Sequence, residues 1–380
     1  MRLGRIPYSV LVLSLAATTV ASAEQAIAQR DTSTVDDLIH AEMLRQNIPG
    51  LSVAVLRDGE IVKVAGYGVA DIASAAPATP HTVYKIASVS KQFIATGIML
   101  LVQEGRLDLT DSIGLFLEDA PSTWGGITIE HLLSHTSGLV REAPGFSPFR
   151  VQPDADVIRT AYALPLRFVP GERWEYSNLG YFVLAEVIRR VSGQPWDRFL
   201  AERVFEPLSM HSTRVTSMSD SLANRATGYG DNDRLIVARE WPALRPSGAF
   251  LSTVLDLARW DAALHDAEIL SDSIRRRMWQ PAGLNDGTTY PYGLGWQLAP
   301  LNGHRLVHHG GTMGGFRAYF AQFVDDGLTV IILMNLDDVD PVAIVNGLAK
   351  LYLPPTATRP GQDVPDQAAA TGHSPNASGA

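Results

Sequence analysis

Two Asp-Gly turns lie near opposite ends of this 380-residue chain, and each joins a pair of β-rich runs. Leu51–Leu56 and Glu60–Tyr67 flank Arg57-Asp58-Gly59, while Phe316–Val324 and Leu328–Asn335 flank Asp325-Asp326-Gly327. Such a pairing is a strong hairpin signal, because these turn residues tolerate the positive φ that tight hairpins need. Two further runs, Gly293–Leu298 and Arg305–His309, precede the second hairpin. Residues 33–47, with Val35, Leu38, Ile39, Met43 and Leu44 at helical spacing, read as an amphipathic helix, and Pro341–Leu351 as another. The middle differs: helical stretches at 88–104, 129–134, 179–192, 195–204 and 253–265, broken by Pro and Gly. The expected class is therefore α/β in the α+β sense. One antiparallel sheet forms from both chain ends and is flanked by helices, with a mostly helical domain inserted. The sheet subdomain is expected at about 30–87 and 266–353, the insertion at about 88–265. No internal repeat is present.

The chain ends carry other signals. Arg2 and Arg5 precede a mostly apolar stretch, Tyr8 to Val20, and Ala21-Ser22-Ala23 offers the small residues of a cleavage site. Residues 1–23 are thus expected to be an export signal, with Ala26-Ile27-Ala28 a second possible cut. The apolar run is short of the roughly 20 residues a membrane span needs, so membrane contact is expected only during export, to the periplasm or the medium. Residues 354–380 are Pro, Ala, Thr, Gly and Ser with little to bury, and are expected to be a disordered tail. The folded domain is then 24–353.

Composition narrows the chemistry. The net charge is -9, which leaves no basic surface for a nucleic-acid partner. Cysteine is absent, which removes thiol catalysis, thiolate metal sites and disulfides together. Of 31 basic residues only Lys63, Lys85, Lys91 and Lys350 are lysines, so a lysine with a chemical role has few candidates.

One of the four stands in Ser88-Val89-Ser90-Lys91, ahead of the apolar run Phe93, Ile94, Ile98, Leu101, Val102. If Ser88 opens a helix there, Lys91 lies one turn later on the same face. A serine hydroxyl is a weak nucleophile until a base takes its proton, and lysine is such a base once burial lowers its pKa. A helix-capping serine beside a surface lysine is the plainer alternative. Tyr176-Ser177-Asn178 precedes the helical stretch 179–191: a phenol to shuttle a proton and an amide to hold a carbonyl, or simply an N-cap. His308-His309-Gly310-Gly311 ends a strand, where a glycine-rich backbone suits close substrate approach and an oxyanion contact, or merely a turn. His131 and His135 lie four apart, but Leu132 stands where a His-Glu-x-x-His metalloprotease has its glutamate. They are expected in packing and turn hydrogen bonds, and no metal or cofactor is expected.

In the order Ser-x-x-Lys, Tyr-Ser-Asn, His-x-Gly, the chain resembles the serine β-lactamase-like superfamily, in the branch of class C β-lactamases, D-Ala-D-Ala carboxypeptidases, D-aminopeptidases and related esterases. His131–Leu139, Pro170-Gly171-Glu172, Ser252–Ala258 and Tyr292-Gly293-Leu294-Gly295-Trp296 add to the likeness, which runs from about residue 33 to 353. The resemblance implies a β-lactamase/transpeptidase-like fold. It implies Ser88 as acylated nucleophile, Lys91 as its base, and Tyr176 as partner base and proton donor. Asn178, His308 and Gly310 would bind substrate, and the N–H groups of Ser88 and Gly311 would form the oxyanion hole. Many class C β-lactamases carry Lys-Thr-Gly where this chain has His308-His309-Gly310, so a permanent cation gives way to a histidine expected to be charged part of the time near neutral pH.

The function so implied is an exported serine hydrolase acting through an acyl-enzyme on an amide, β-lactam or ester bond of a small-molecule or peptide substrate. The substrate class and the oligomeric state stay open. A non-catalytic penicillin-binding or scaffold protein of the same fold is the alternative. It would be expected to lack one of Ser88, Lys91 and Tyr176, and all three are present.

Overall fold

The computed structural model describes residues 34–354 apart from 216–221, 231–232, 243–244 and 249. The expected leader and tail lie outside them. A first helix, α1 (34–45), leads into strands β1 (Gly50–Arg57), β2 (Glu60–Asp71) and β3 (Ala76–Pro77). Strands β4 (Gln297–Leu301), β5 (His304–Met313), β6 (Phe316–Phe323) and β7 (Leu328–Met334) come from the other end of the chain. They form one antiparallel sheet in the order β4-β5-β6-β7-β1-β2-β3. The two ends meet at its centre, where β1 pairs with β7 from Leu51↔Met334 to Arg57↔Leu328.

Both central strands are buried on both faces, which is why they read as continuous apolar runs rather than alternating ones. Alternation still sorts their side chains. Leu51, Val53, Val55, Val330 and Ile332 pack with Val35, Ile39, Ile344 and Leu348 of α1 and the C-terminal helix Pro341–Tyr352. Ala54, Leu56, Ile331 and Leu333 face the opposite core, shared with the helical middle. Asp261, on helix Val254–His265, accepts hydrogen bonds from Gln322 (2.6 Å) and Thr329 (2.8 Å) and fastens that helix to β6 and β7.

The middle is organised by the helix Lys91–Gln103, buried from Lys91 to Leu101, as expected of a helix enclosed by protein on every side. Gly97 lets Ile188 and Leu200 of two neighbouring helices approach, and Phe93 packs edge-on to Phe205 and Phe250. Three expectations shift in detail. The helix expected from 88 begins at Lys91, because Ala87–Ser90 form a 3₁₀ turn entered through Ala87 at φ 47°. The strand expected at Gly293–Leu298 begins only at Gln297; Gly295, at φ 84°, turns the chain first. The stretch 195–204 divides into an α-helix, Trp196–Leu200, and a π-helical turn, Ala201–Phe205.

Gly295 seats the sheet domain against the Lys91 helix: a Cβ there would stand 2.7 Å from Ala95 Cβ and 3.2 Å from the Lys91 carbonyl oxygen. An alanine must adopt a left-handed backbone, at roughly 1–2 kcal/mol, and overpack the contact, at about 1–3 kcal/mol. Gly295→Ala is therefore expected to lose about 2–5 kcal/mol in urea unfolding; a change below about 1 kcal/mol would show that this contact is slack.

Candidate active site

Ser88 is the one partly exposed residue of the buried turn Ala87–Ser90, and its side chain caps no helix. The residue before it is strained: a left-handed alanine costs about 1–2 kcal/mol, and Ala87 holds that conformation at the entry to the turn. Lys91 lies one turn on, fully buried, with Nζ 3.3 Å from Ser88 Oγ. Nζ also donates to Asn178 Oδ1 at 2.8 Å and to the Ser247 carbonyl at 2.9 Å. Burial drives the lysine well below its ordinary pKa, and the nearby Arg245 and Arg141 guanidiniums push the same way against Glu142.

These partners fix where the lone pair of a neutral Lys91 points. An amide oxygen and a backbone carbonyl only accept, so two N–H groups are spoken for. Ser88 is the partner that can donate. A neutral Lys91 therefore turns its lone pair to the Ser88 hydroxyl.

Tyr176 completes the cluster. Its hydroxyl is hydrogen-bonded to Ser88, its ring centre is 4.7 Å from Lys91 Nζ, and burial raises its pKa. It rests as a phenol in hydrogen-bond contact with Ser88. Ser177 caps the helix Asn178–Ser192 through Gly180 N–H (3.1 Å) and donates to the Val140 carbonyl (2.8 Å). The Asn178 amide is a bridge: Oδ1 takes Lys91, and Nδ2 donates to Glu142 at 2.5 Å. Glu142 also binds the buried Arg245, whose Nε donates to Ser247 Oγ at 2.8 Å. Glu142, Arg245 and Ser247 carry no signal in the sequence: they lie in unpatterned loops, Glu142 is 103 residues from Arg245, and Ser247 is 156 residues from Lys91.

The third segment needs a correction of one residue. Along β5, Leu306 belongs to the core under the terminal helices and Val307 to the core under the helical middle, so the next side chains alternate likewise. His308 lies on the Tyr319 side, stacked on that ring with Nδ1 2.8 Å from its hydroxyl. Burial lowers His308 to about 4, so it is neutral near pH 7 and not the part-charged contact expected. It is His309 that faces the site, its ring 6.4 Å from Tyr176. His309-Gly310-Gly311 fits His-x-Gly equally well. Gly311 is where a side chain is forbidden: a Cβ would meet the Ile86 carbonyl oxygen at 2.4 Å and Ser88 N at 2.8 Å.

The backbone amide free to meet an oxyanion shifts by one as well. Gly314 and Gly315, at φ 52° and 82°, form a two-residue type I′ turn, so Met313 and Phe316 are a hydrogen-bonded pair. Gly311↔Ala318 and His309↔Phe320 then follow as hydrogen-bonded pairs, and the Gly311 N–H is used by the ladder. The amides of Gly310 and Thr312 point to the other edge, which β4 stops covering after Gln297↔His308. Both lie at the open edge, and Thr312 N–H is the one beside the Ser88 turn.

His135 and His309 are joined through Tyr292. Ser177 N–H donates to His135 Nδ1 (3.2 Å), His135 Nε2 meets Tyr292 Oη (3.1 Å), Tyr292 Oη meets His309 Nε2 (3.0 Å), and His309 Nδ1 meets the Gly310 carbonyl (2.7 Å). A backbone N–H can only donate and a carbonyl can only accept, which fixes the two end bonds and makes His135 Nε2 a donor to Tyr292; with His309 held neutral by burial, its Nε2 accepts from Tyr292 Oη. His135 is the Nε2–H tautomer, His309 the Nδ1–H tautomer, and both are neutral. Burial agrees, taking His309 down to about 3 and His135 far below its ordinary value. Both ring nitrogens of His135 are thus occupied within the protein, while His131 Nδ1 accepts from Thr128 N–H (3.2 Å) in a capping box. Tyr292 was legible only as part of the segment Tyr292–Trp296.

A seven-stranded antiparallel sheet closed by both chain ends, with this cluster at its junction with a helical insertion, is an architecture shared with known proteins. The chain belongs to the beta-lactamase family, whose model matches residues 35–352. It is 29% identical over 310 residues to penicillin-binding protein 4* of Bacillus subtilis (strain 168), covering 76% of this chain and 68% of that protein. It is 28% identical over 343 residues to the D-aminopeptidase of Brucella canis, covering 86% and 64%. The chain thus spans about two thirds of the length of these relatives. Among solved structures it is similar to an octameric penicillin-binding protein homologue from Pyrococcus abyssi, with TM-score 0.75, 28% identity, and 85% and 77% of the two chains covered. The D-amino acid amidase of Ochrobactrum anthropi SV3 shares the fold at TM-score 0.74 and 24% identity, over 84% of this chain and 98% of the other.

Tyr292→Phe keeps the ring and leaves the His135 donor and the His309 acceptor unpaired. At about 1–3 kcal/mol for each of the two buried orphans, the expected loss of stability is about 2–6 kcal/mol. Nitrogen-15 NMR of the wild type should show the two tautomers named above at pH 7, with His309 still neutral at pH 5. Either ring found as imidazolium at pH 6 would contradict the chain's assigned direction.

Proposed function

We propose that this chain is a serine hydrolase that forms an acyl-enzyme on Ser88 with amide, β-lactam or ester substrates. The observation that carries the reading is the placement of Lys91, whose neutral amine has, among the described residues, no partner for its lone pair except the Ser88 hydroxyl. In the first step Lys91 takes the Ser88 proton as Oγ attacks the substrate carbonyl. The oxyanion is held by the amides of Ser88 and Thr312, aimed at charge that develops only in the transition state. Tyr176 gives its proton to the leaving nitrogen or oxygen, and the ammonium formed on Lys91 restores it. Water then attacks the ester by the same exchange in reverse. D-aminopeptidase and penicillin-binding relatives support a hydrolase of this kind. With a leader at residues 1–23, the chemistry would take place outside the cytoplasm.

Intact-mass measurement after exposure to a fluorophosphonate and to a penicillin tests this. The wild type should gain one adduct with the fluorophosphonate, transient or lasting with the penicillin, and Ser88→Ala none. Lys91→Arg should lose at least about a thousandfold in acylation, because guanidinium does not give up its proton. A Ser88→Ala variant keeping a tenth of the activity would remove the nucleophile assignment.

The pH profile follows from the direction of the lysine's shift. Acylation should rise with pH as Lys91 loses its proton, with a midpoint below the ordinary lysine value. No further step should come between pH 5 and 8 from His308 or His309, already neutral above about 4 and about 3. A histidine-like step removed by His309→Gln would show instead that the third segment titrates during turnover.

A further inference from the structure

The third segment supplies no charge, since both of its histidines are neutral. Glu142 is engaged by Arg245 and Asn178, which leaves that pair without net charge. A permanent cation nevertheless remains at the mouth of the site. The Arg141 guanidinium lies over the Tyr176 ring, 5.1 Å from its centre. No carboxylate among the described residues pairs with it. Its side chain is exposed, yet its place is fixed by its own backbone, because the Arg141 carbonyl accepts from both Asn178 N–H (2.8 Å) and Leu179 N–H (3.2 Å). The residue is thereby clamped to the start of the helix that carries Asn178. Its field reaches the reacting groups: it acts on Lys91, on Tyr176 and on His135.

We infer that Arg141 is a specificity-determining residue that grips a carboxylate on the leaving-group side of the substrate. The side is set by Tyr176. The phenol meets the leaving atom, and the guanidinium rides on that same ring, so an anion attached to the departing fragment comes under the fork of Arg141. A guanidinium presents paired N–H donors that match a carboxylate, and such charge-assisted bonds are about twice as strong as neutral ones. The substrate class is then an amide, β-lactam or ester whose departing half bears a carboxylate. The other guanidinium beside Lys91, Arg245, is by contrast bound to Glu142. This inference rests on the acyl-enzyme reading of Ser88 and deepens it.

The test compares phenyl acetate with 3-carboxyphenyl acetate, which differ by one carboxylate on the leaving group. For Arg141→Gln, kcat/KM should fall at least about tenfold more for the anionic ester than for the neutral one, mainly through KM. Arg141→Lys should keep part of the preference, and added salt should erode it in the wild type. Equal losses on both esters would make Arg141 a support for Tyr176 and overturn the inference; no loss on either would also overturn it. A binding measurement separates this from the acylation reading. Calorimetry of 3-hydroxybenzoate with Ser88→Ala should give a Kd at least about tenfold lower than with the Ser88→Ala/Arg141→Gln double variant. That difference stands even if no ester is turned over, whereas its absence overturns the grip whatever the esters do.

Discussion

A primary amine held without water is the constraint from which the rest of this molecule follows. Moving an ammonium out of water is so unfavourable that a buried lysine gives up its proton unless a counter-ion is present. Here the available carboxylate, Glu142, reaches Lys91 only through the Asn178 amide and is itself claimed by Arg245. Lys91 thus receives oriented dipoles in place of a charge. Two of these, the Asn178 oxygen and the Ser247 carbonyl, come from segments distant in sequence, so the base exists only when the helical middle has closed over the Ser88 turn. A direct Lys91–Glu142 pair would bind the proton more firmly and leave Ser88 with no acceptor.

The sheet supplies the other half of that arrangement by stopping short. Strand β5 continues past the last pairing with β4, and its outward amides after His308 have no ladder partner. An open edge is ordinarily a liability. Here it lies against the Ser88 turn, close enough that only glycine fits at position 311. The polar chain from Ser177 through His135, Tyr292 and His309 to Gly310 then ties the edge to the segment that carries Tyr176 and Asn178. Because its direction is fixed at both ends, it couples the two halves of the site only while both histidines are neutral. Low-dielectric surroundings make such a chain strong when complete and costly when broken.

The legible and illegible parts of the sequence divide along local and non-local lines. The hairpins around Asp58-Gly59 and Asp326-Gly327, the terminal helices and the apolar helix after Ser88 are set by short-range pattern, and the structure has them all. The grouping of Ser88, Lys91, Tyr176 and Asn178 is legible only through the order of the motifs and the resemblance it carries, since each segment taken singly reads equally well as a helix start. The 3₁₀ turn was not legible, because Ala87 takes its left-handed conformation from packing against β5. His308 was misassigned for a related reason. Two adjacent histidines before two glycines offer two registers, and side-chain direction depends on where the strand begins, which periodicity cannot fix to one residue. The partnership of Glu142 with Arg245 left no trace, since 103 residues of unrelated pattern separate them.

The same division bears on how the site's costs are met. A desolvated lysine, two buried neutral histidines and a left-handed alanine are each unfavourable, and none is repaid by contacts inside the cluster alone. They persist because the elements that hold them are over-determined elsewhere. The Lys91 helix is buried along its first three turns, and β5 is paired with β6 from Leu306 to Met313. Strand β6 in turn leans on the β7–β1 centre, where both chain ends meet between two apolar cores. Strain at Ala87, beside Ser88, is thus carried by a sheet that buries both of its faces. A residue such as Arg141 can by contrast change freely in chemistry, since it contributes a carbonyl to the helix start and only a charge to the site. Reactivity is therefore the expensive, fixed part of this fold, and the choice of substrate resides in side chains that the core does not need.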